Sequence, residues 1–183
     1  GVVDAANSLV GTTSGDQTAS SGITVLTNGN YVVSSSSWDD GATTDVGAAT
    51  WGNGTTGITG AVTSINSLVG TTTNDQIGIG GRITALSNGN YVVGSPFWGA
   101  SNFGAATWGD GTTGITGAVT TLNSLVGSTL EDRVGVAITA LTNGNYVVGS
   151  NLWDDGGVAN IGAATWGNGT TGITGAVTTI NSL

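Results

Sequence analysis

Cysteine, methionine, histidine and lysine are absent from this 183-residue chain, and proline occurs once. Without cysteine there is no disulfide frame from which to argue a redox compartment. Without histidine, cysteine or lysine, the commonest general base and the common strong nucleophiles are missing, so the composition argues against an enzyme. Charge is scarce too, at 7% of residues against about 25% in an ordinary globular domain. Eleven carboxylates face only Arg82 and Arg133, for a net charge of −9. A chain this acidic cannot neutralise phosphates, which sets nucleic acid and anionic membranes aside as partners. No apolar run approaches the ~18 residues of a membrane span. No signal peptide is visible, and the chain opens in mid-repeat, so its first residue is not expected to be the start of the translated protein.

What the chain does have is glycine, 34 of them, and repetition. "LTNGNYVV" at Leu26–Val33 returns as "LSNGNYVV" at Leu86–Val93 and as "LTNGNYVV" at Leu141–Val148. The word "NSLVG" begins at Asn7, Asn66 and Asn123, and Asn181-Ser182-Leu183 begins it again, at intervals of 59, 57 and 58 residues. A constant period of this length marks a structural module whose copies bury apolar faces against their neighbours. The spacing divides the chain into residues 1–9, a fourth strand of a preceding repeat, and three repeats at 10–68, 69–125 and 126–183.

Each repeat holds four strand-like runs. Ile23–Leu26 meets Asn28-Gly29, a pair suited to the two positive-φ positions of a type I′ turn, and Tyr31-Val32-Val33 returns from it. The same turn is expected at Asn88-Gly89 and Asn143-Gly144. The third run is "VGAATWG" at Val46–Gly52 and the fourth is "GITGAVTSINSLVG" at Gly57–Gly70. No segment carries a capped 3.6-residue apolar period. The expectation is an all-β chain of tandem four-stranded antiparallel blades, β-propeller-like, with little or no helix. A β-helix is the competing reading, but it calls for a shorter period and fewer hairpins.

The stretch Leu125–Trp166 resembles the FG-GAP blade of integrin α-type propellers. Val134-Gly135 matches its apolar-Gly pair, Val147–Ser150 its Gly-Ala-Pro strand and Gly162-Ala163-Ala164 the next strand's start; the second copy keeps a proline in Gly94-Ser95-Pro96. The repeats are also similar to the Gly/Asn/Thr-rich tandem arrays of large bacterial exoproteins of the filamentous-haemagglutinin kind. These resemblances imply attachment, matrix or filament roles. The calcium loop often found in FG-GAP blades is not carried over, because Thr27-Asn28-Gly29-Asn30 offers no carboxylate.

Among candidate sites, Asp39, Asp40 and Asp45 of "WDDGATTD" could hold calcium, but the third copy replaces the last acid with Asn160 and the second copy has "WGASNF". No metal or cofactor is therefore expected. The adjacent acids Asp39/Asp40, Glu131/Asp132 and Asp154/Asp155 read as solvated loops rather than glycosidase pairs. Asp16, Asp75 and Asp132 follow "LVG" turns and are expected to bond local backbone N–H groups. Trp51, Trp108 and Trp166 lie within strands and read as packing, whereas Trp38, Trp98 and Trp153 begin loops and are the candidates for stacking on glycans. "GNGTTG" and "GDGTTG" lack the lysine and helix of a phosphate loop and read as hairpin turns.

Together these features predict a structural or adhesive module of a secreted bacterial surface protein or extracellular filament, self-assembling through strand pairing and blade packing. The alternative is a lectin-like propeller using the loop tryptophans.

Overall fold

A computed structural model describes residues 1–183. It holds fifteen strands, no α-helix and one 3₁₀ turn at Ile79–Gly81. After β1 (Leu9–Val10), the first unit forms β2 (Ile23–Val25), β3 (Tyr31–Ser35), β4 (Ala48–Gly52), β5 (Gly60–Ala61) and β6 (Ser67–Val69). The second forms β7 (Ile83–Ala85), β8 (Tyr91–Ser95), β9 (Ala105–Gly109), β10 (Gly117–Ala118) and β11 (Ser124–Val126). The third forms β12 (Ala137–Ala140), β13 (Tyr146–Ser150), β14 (Ala163–Gly167) and β15 (Gly175–Ala176).

In the first unit β2, β3, β4 and β6 pair antiparallel in that order, and the second unit repeats this with β7, β8, β9 and β11. The β-branched and aromatic "YVV" run suits a pleated, enclosed position, and β3 and β8 are accordingly central and almost wholly buried.

The fourth run differs from the sequence reading. Gly57–Gly70 makes two short strands, β5 and β6, instead of one. Asn66 braces the turn between them: its Nδ2 donates to the Ala61 carbonyl at 2.9 Å and its Oδ1 accepts from the Thr63 amide at 2.9 Å. The Gly-Ala strand then leaves its own sheet for the preceding one. Thus β5 pairs parallel with β1, β10 with β6, and β15 with β11. Each four-stranded antiparallel sheet gains a fifth, parallel strand from the next unit.

Because successive side chains on a strand point to opposite faces, every sheet has a forward and a backward face. Leu26, Val32, Ala49 and Leu68 of the first unit's forward face share a core with Ile83, Tyr91, Val93 and Val126 of the second unit's backward face. Leu86, Val92, Ala106 and Leu125 meet Tyr146 and Val148 of the third unit in the same way. The two largest cores therefore lie between units, each buried aliphatic side chain being worth ~1.5–3 kcal/mol. Two pairs of buried hydroxyls bond across strands, Thr50 with Ser67 and Thr107 with Ser124, each at 2.7 Å.

Candidate functional site

The recurrent "NGN" and "GNG"/"GDG" words meet where one unit touches the next. The hairpin between β2 and β3 has a three-residue loop, with the Leu26 amide donating to the Asn30 carbonyl at 2.8 Å and the Gly29 amide to the Leu26 carbonyl at 3.0 Å. This corrects the type I′ expectation. Gly29 has positive φ, at 89°, but Asn28 does not, which fits a type I turn closed by a glycine bulge. Gly89 (95°) and Gly144 (87°) repeat it, again without Asn88 or Asn143. The Asn28 Oδ1 accepts from the Asn30 amide at 3.1 Å.

Asn30 works in two directions. Its Oδ1 accepts from the Gly54 amide of its own unit at 2.9 Å, while its Nδ2 donates to the Gly111 carbonyl of the next unit at 2.8 Å. The same carbonyl accepts from Asn28 Nδ2 at 2.8 Å and from Trp51 Nε1 at 3.0 Å. Between the second and third units, Gly169 accepts from Asn88 and Asn90 at 2.8 Å each and from Trp108 at 2.9 Å. A carbonyl oxygen has two lone pairs, so three donors share them and leave it no spare acceptor capacity. Only glycine fits the acceptor position, since a Cβ on Gly111 would stand 1.7 Å from the Gly89 carbonyl oxygen.

The third unit carries the same donors without an acceptor. Asn143 and Asn145 use their Oδ1 atoms on the Asn145 and Gly169 amides, but their Nδ2 groups donate to nothing within the chain. Trp166 is 51% exposed. Beside it Val147, Ala164, Ile180 and Leu183 line an open cleft of about 420 Å³. At the other end of the stack, the exposed Gly54 carries a carbonyl that receives no donor, while Gly111 and Gly169 are buried.

The loop tryptophans lie elsewhere than expected. Trp38 and Trp153 are buried core members, so neither offers an open ring face to a sugar, and Trp98 is half-buried against the core between the first two units. Each ring offers a large apolar area for burial, although the indole N–H groups of Trp38, Trp98 and Trp153 find no acceptor within the chain. The strand tryptophans Trp51 and Trp108 do pack between units, as expected.

Asp16, Asp75 and Asp132 act as turn braces. Each carboxylate is buried and accepts from two backbone amides of its own turn, such as Thr71 and Thr72 onto Asp75 at 2.8 and 2.9 Å. Its second oxygen reaches the loop after the loop tryptophan position, at the Asp39, Gly99 or Asp154 amide. For Asp16, burial pushes the carboxyl pKa up, but the bonds from Thr13, Thr12 and Asp39 outweigh it and hold it below its usual value. Asp110 is lowered mainly by the Thr112 hydroxyl and amide, as befits the turn at "GDGTTG". Burial pushes the Tyr91 hydroxyl well up, offset in part by the Ile115 amide that donates to it at 3.2 Å.

Asp39 spends its Oδ1 on the Asp45 amide at 2.7 Å, and Asp154 does the same for Asn160. The acids of "WDDGATTD" do not gather into a set of three metal-ligating groups. Glu131 pairs with Arg133 at 2.7 Å on the surface, where such a bridge adds little.

Sequence reasoning missed Asn30, Asn90 and the glycines Gly54, Gly111 and Gly169. Their words were visibly repeated, but partners 79 to 83 residues apart leave no local mark.

The family model described as a repeat of unknown function (DUF5650) matches residues 1–20, 25–79, 85–136 and 140–183. It supports a repeat β-protein and carries no FG-GAP identity. No curated protein matches the chain.

Proposed function

The chain belongs to the DUF5650 repeat family, and on that premise we propose that it is a structural, adhesive module of a secreted bacterial surface protein or extracellular filament. The observation that carries this is the location of the two largest cores, which are shared between successive units. Stability built this way grows by adding units, the property wanted of a stiff, extensible scaffold. The sheets are taken as blade-like, in the manner of FG-GAP repeats, but stacked in an open array.

Adhesion is supported by Ile65, Leu122 and Ile180, one highly exposed aliphatic side chain per unit in the turn before the "NSL" word. No catalytic role is proposed for a chain without histidine, cysteine or lysine. Nor is a metal, a cofactor or nucleic acid part of this reading.

Two measurements test it. Antibody labelling of intact producing cells should detect the protein at the surface, and labelling only after lysis would contradict the location. A glycan array should show no sugar-specific binding by the full chain. Saturable binding to one sugar class would favour the lectin alternative instead.

A further inference from the structure

We propose that the side-chain amides of Asn53 and Asn168 are acceptors for N-linked sugars, attached by a glycosyltransferase of the producing cell. This rests on the surface-protein reading above and adds a modification site to it.

The acceptor pattern is Asn-x-Ser/Thr, with x other than proline. It occurs at two places, Asn53-Gly54-Thr55 and Asn168-Gly169-Thr170. Both lie in the turn that leads to a Gly-Ala strand, from β4 to β5 and from β14 to β15. The middle unit has Asp110-Gly111-Thr112 there, which offers no amide nitrogen.

The turn commits the oxygen of each asparagine and leaves its nitrogen free. Asn53 Oδ1 accepts from the Thr55 and Thr56 amides at 2.8 and 3.1 Å, and Asn168 Oδ1 from Thr170 and Thr171 at 2.8 and 3.3 Å. This is an Asx turn, closed by the Gly57 and Gly172 amides on the Asn53 and Asn168 carbonyls at 2.8 Å each. Neither Nδ2 donates to anything within the chain. The Thr55 and Thr170 hydroxyls are equally unspent, whereas Thr112 gives its hydroxyl to Asp110 at 2.6 Å. Asparagines with a structural task differ: Asn28, Asn66, Asn88 and Asn123 all spend Nδ2 on a backbone carbonyl, and none begins an acceptor pattern.

Access does not depend on the outermost faces of the stack. The middle unit is covered on both sides, yet Asp110 is half-buried and Thr112 and Thr113 are exposed, as at the other two turns. In the transfer, Nδ2 bonds to the anomeric carbon of a sugar activated on a phosphate. The anomeric C–O bond breaks, its electron pair leaves with the phosphate, and Nδ2 gives one proton to the transferase. The Asn oxygen keeps both of its turn bonds. Such sugars would add hydration to a chain with only 7% charged residues.

Peptide mapping of the protein purified from its producing cells tests this. Trypsin cuts the chain only after Arg82 and Arg133. The peptide Ile83–Arg133 carries Asp110 and no acceptor pattern, and the peptides on either side carry Asn53 and Asn168. Tandem mass spectrometry should place a sugar on the side chains of Asn53 and Asn168, and on no asparagine of Ile83–Arg133. Thr55→Ala keeps Asn53 and the amides bonded to it but removes the pattern, so it should strip the sugar from Asn53 and leave Asn168 modified. Thr170→Ala should do the reverse. Bare side chains at both positions would overturn the proposal, as would sugar that persists on Asn53 in Thr55→Ala. A chain labelled at the cell surface but bare at both asparagines sinks this proposal alone, whereas a modified chain reached only after lysis sinks the location.

Discussion

Trp108 and Trp166 occupy the same position in successive units, each followed by glycine at the end of its strand. Trp108 is half-buried, with its indole N–H bonded to Gly169; Trp166 stands half in water with its N–H unused by the chain. Leu125 and Leu183 differ in the same sense. The local sequences are nearly identical, so the difference comes from the unit that follows. A single unit of this chain carries only half of each core it needs, and the neighbour supplies the other half.

The comparison can be broken most forcefully at the leucines. Leu125→Ala should cost about 2–5 kcal/mol, the range for truncating a fully buried leucine, while Leu183→Ala should stay within about 0.5 kcal/mol, as for a surface change. Urea unfolding of the two variants checks this, and equal losses would show that the third unit is supported in some other way.

Glycine turns give the next effect. Gly29 and Gly89 share a positive φ, but only Gly89 has a neighbour in the previous unit, Asn28, whose Nδ2 lies 3.3 Å from where a Cβ would stand. Valine at either position should destabilise by about 1–3 kcal/mol through backbone strain. The melting temperature should fall further for Gly89→Val than for Gly29→Val.

A smaller contrast isolates the staple. Asn90 and Asn145 both accept from a glycine of their own unit, but only Asn90 also donates forward to Gly169. Asn90→Ala should exceed Asn145→Ala by about 0.5–1.5 kcal/mol, the net worth of one hydrogen bond. Thermal denaturation of both variants measures that gap.

Much of this was legible in the sequence. The "YVV" runs, the Asn-Gly pairs and the missing helical period announced an all-β repeat with tight hairpins. The bracing by Asp16, Asp75 and Asp132 was legible as well, because each bonds within four residues of itself. What escaped reading is nonlocal. Gly60-Ala61 has no strand propensity of its own and becomes a strand only by pairing with the unit before it. Trp38 and Trp153 follow polar runs that read as loops, yet the stacked sheets enclose them. The turn type was misjudged because Asn-Gly also serves a type I turn with a glycine bulge, and the loop length that separates the two depends on strand register.

Acid should produce the smallest effect, centred on Asp16. Its carboxyl pKa is lowered by folding, so its contribution is full above the ordinary carboxylate range and is lost as pH falls through the folded value. Melting temperatures should therefore decline on acidification below about pH 4, and Asp16→Asn should make that decline shallower. An unchanged slope would mean the brace gains nothing from ionisation.

The shared core itself is tested most directly by hydrogen exchange across the intact chain. Val92 and Thr107 sit in a sheet covered on both faces, whereas Val147 and Thr165 sit in one covered on its backward face alone. At concentrations where the chain is monomeric, the amides of β8 and β9 should exchange markedly more slowly than those of β13 and β14. Equal protection in the two sheets would contradict a stability that resides between units.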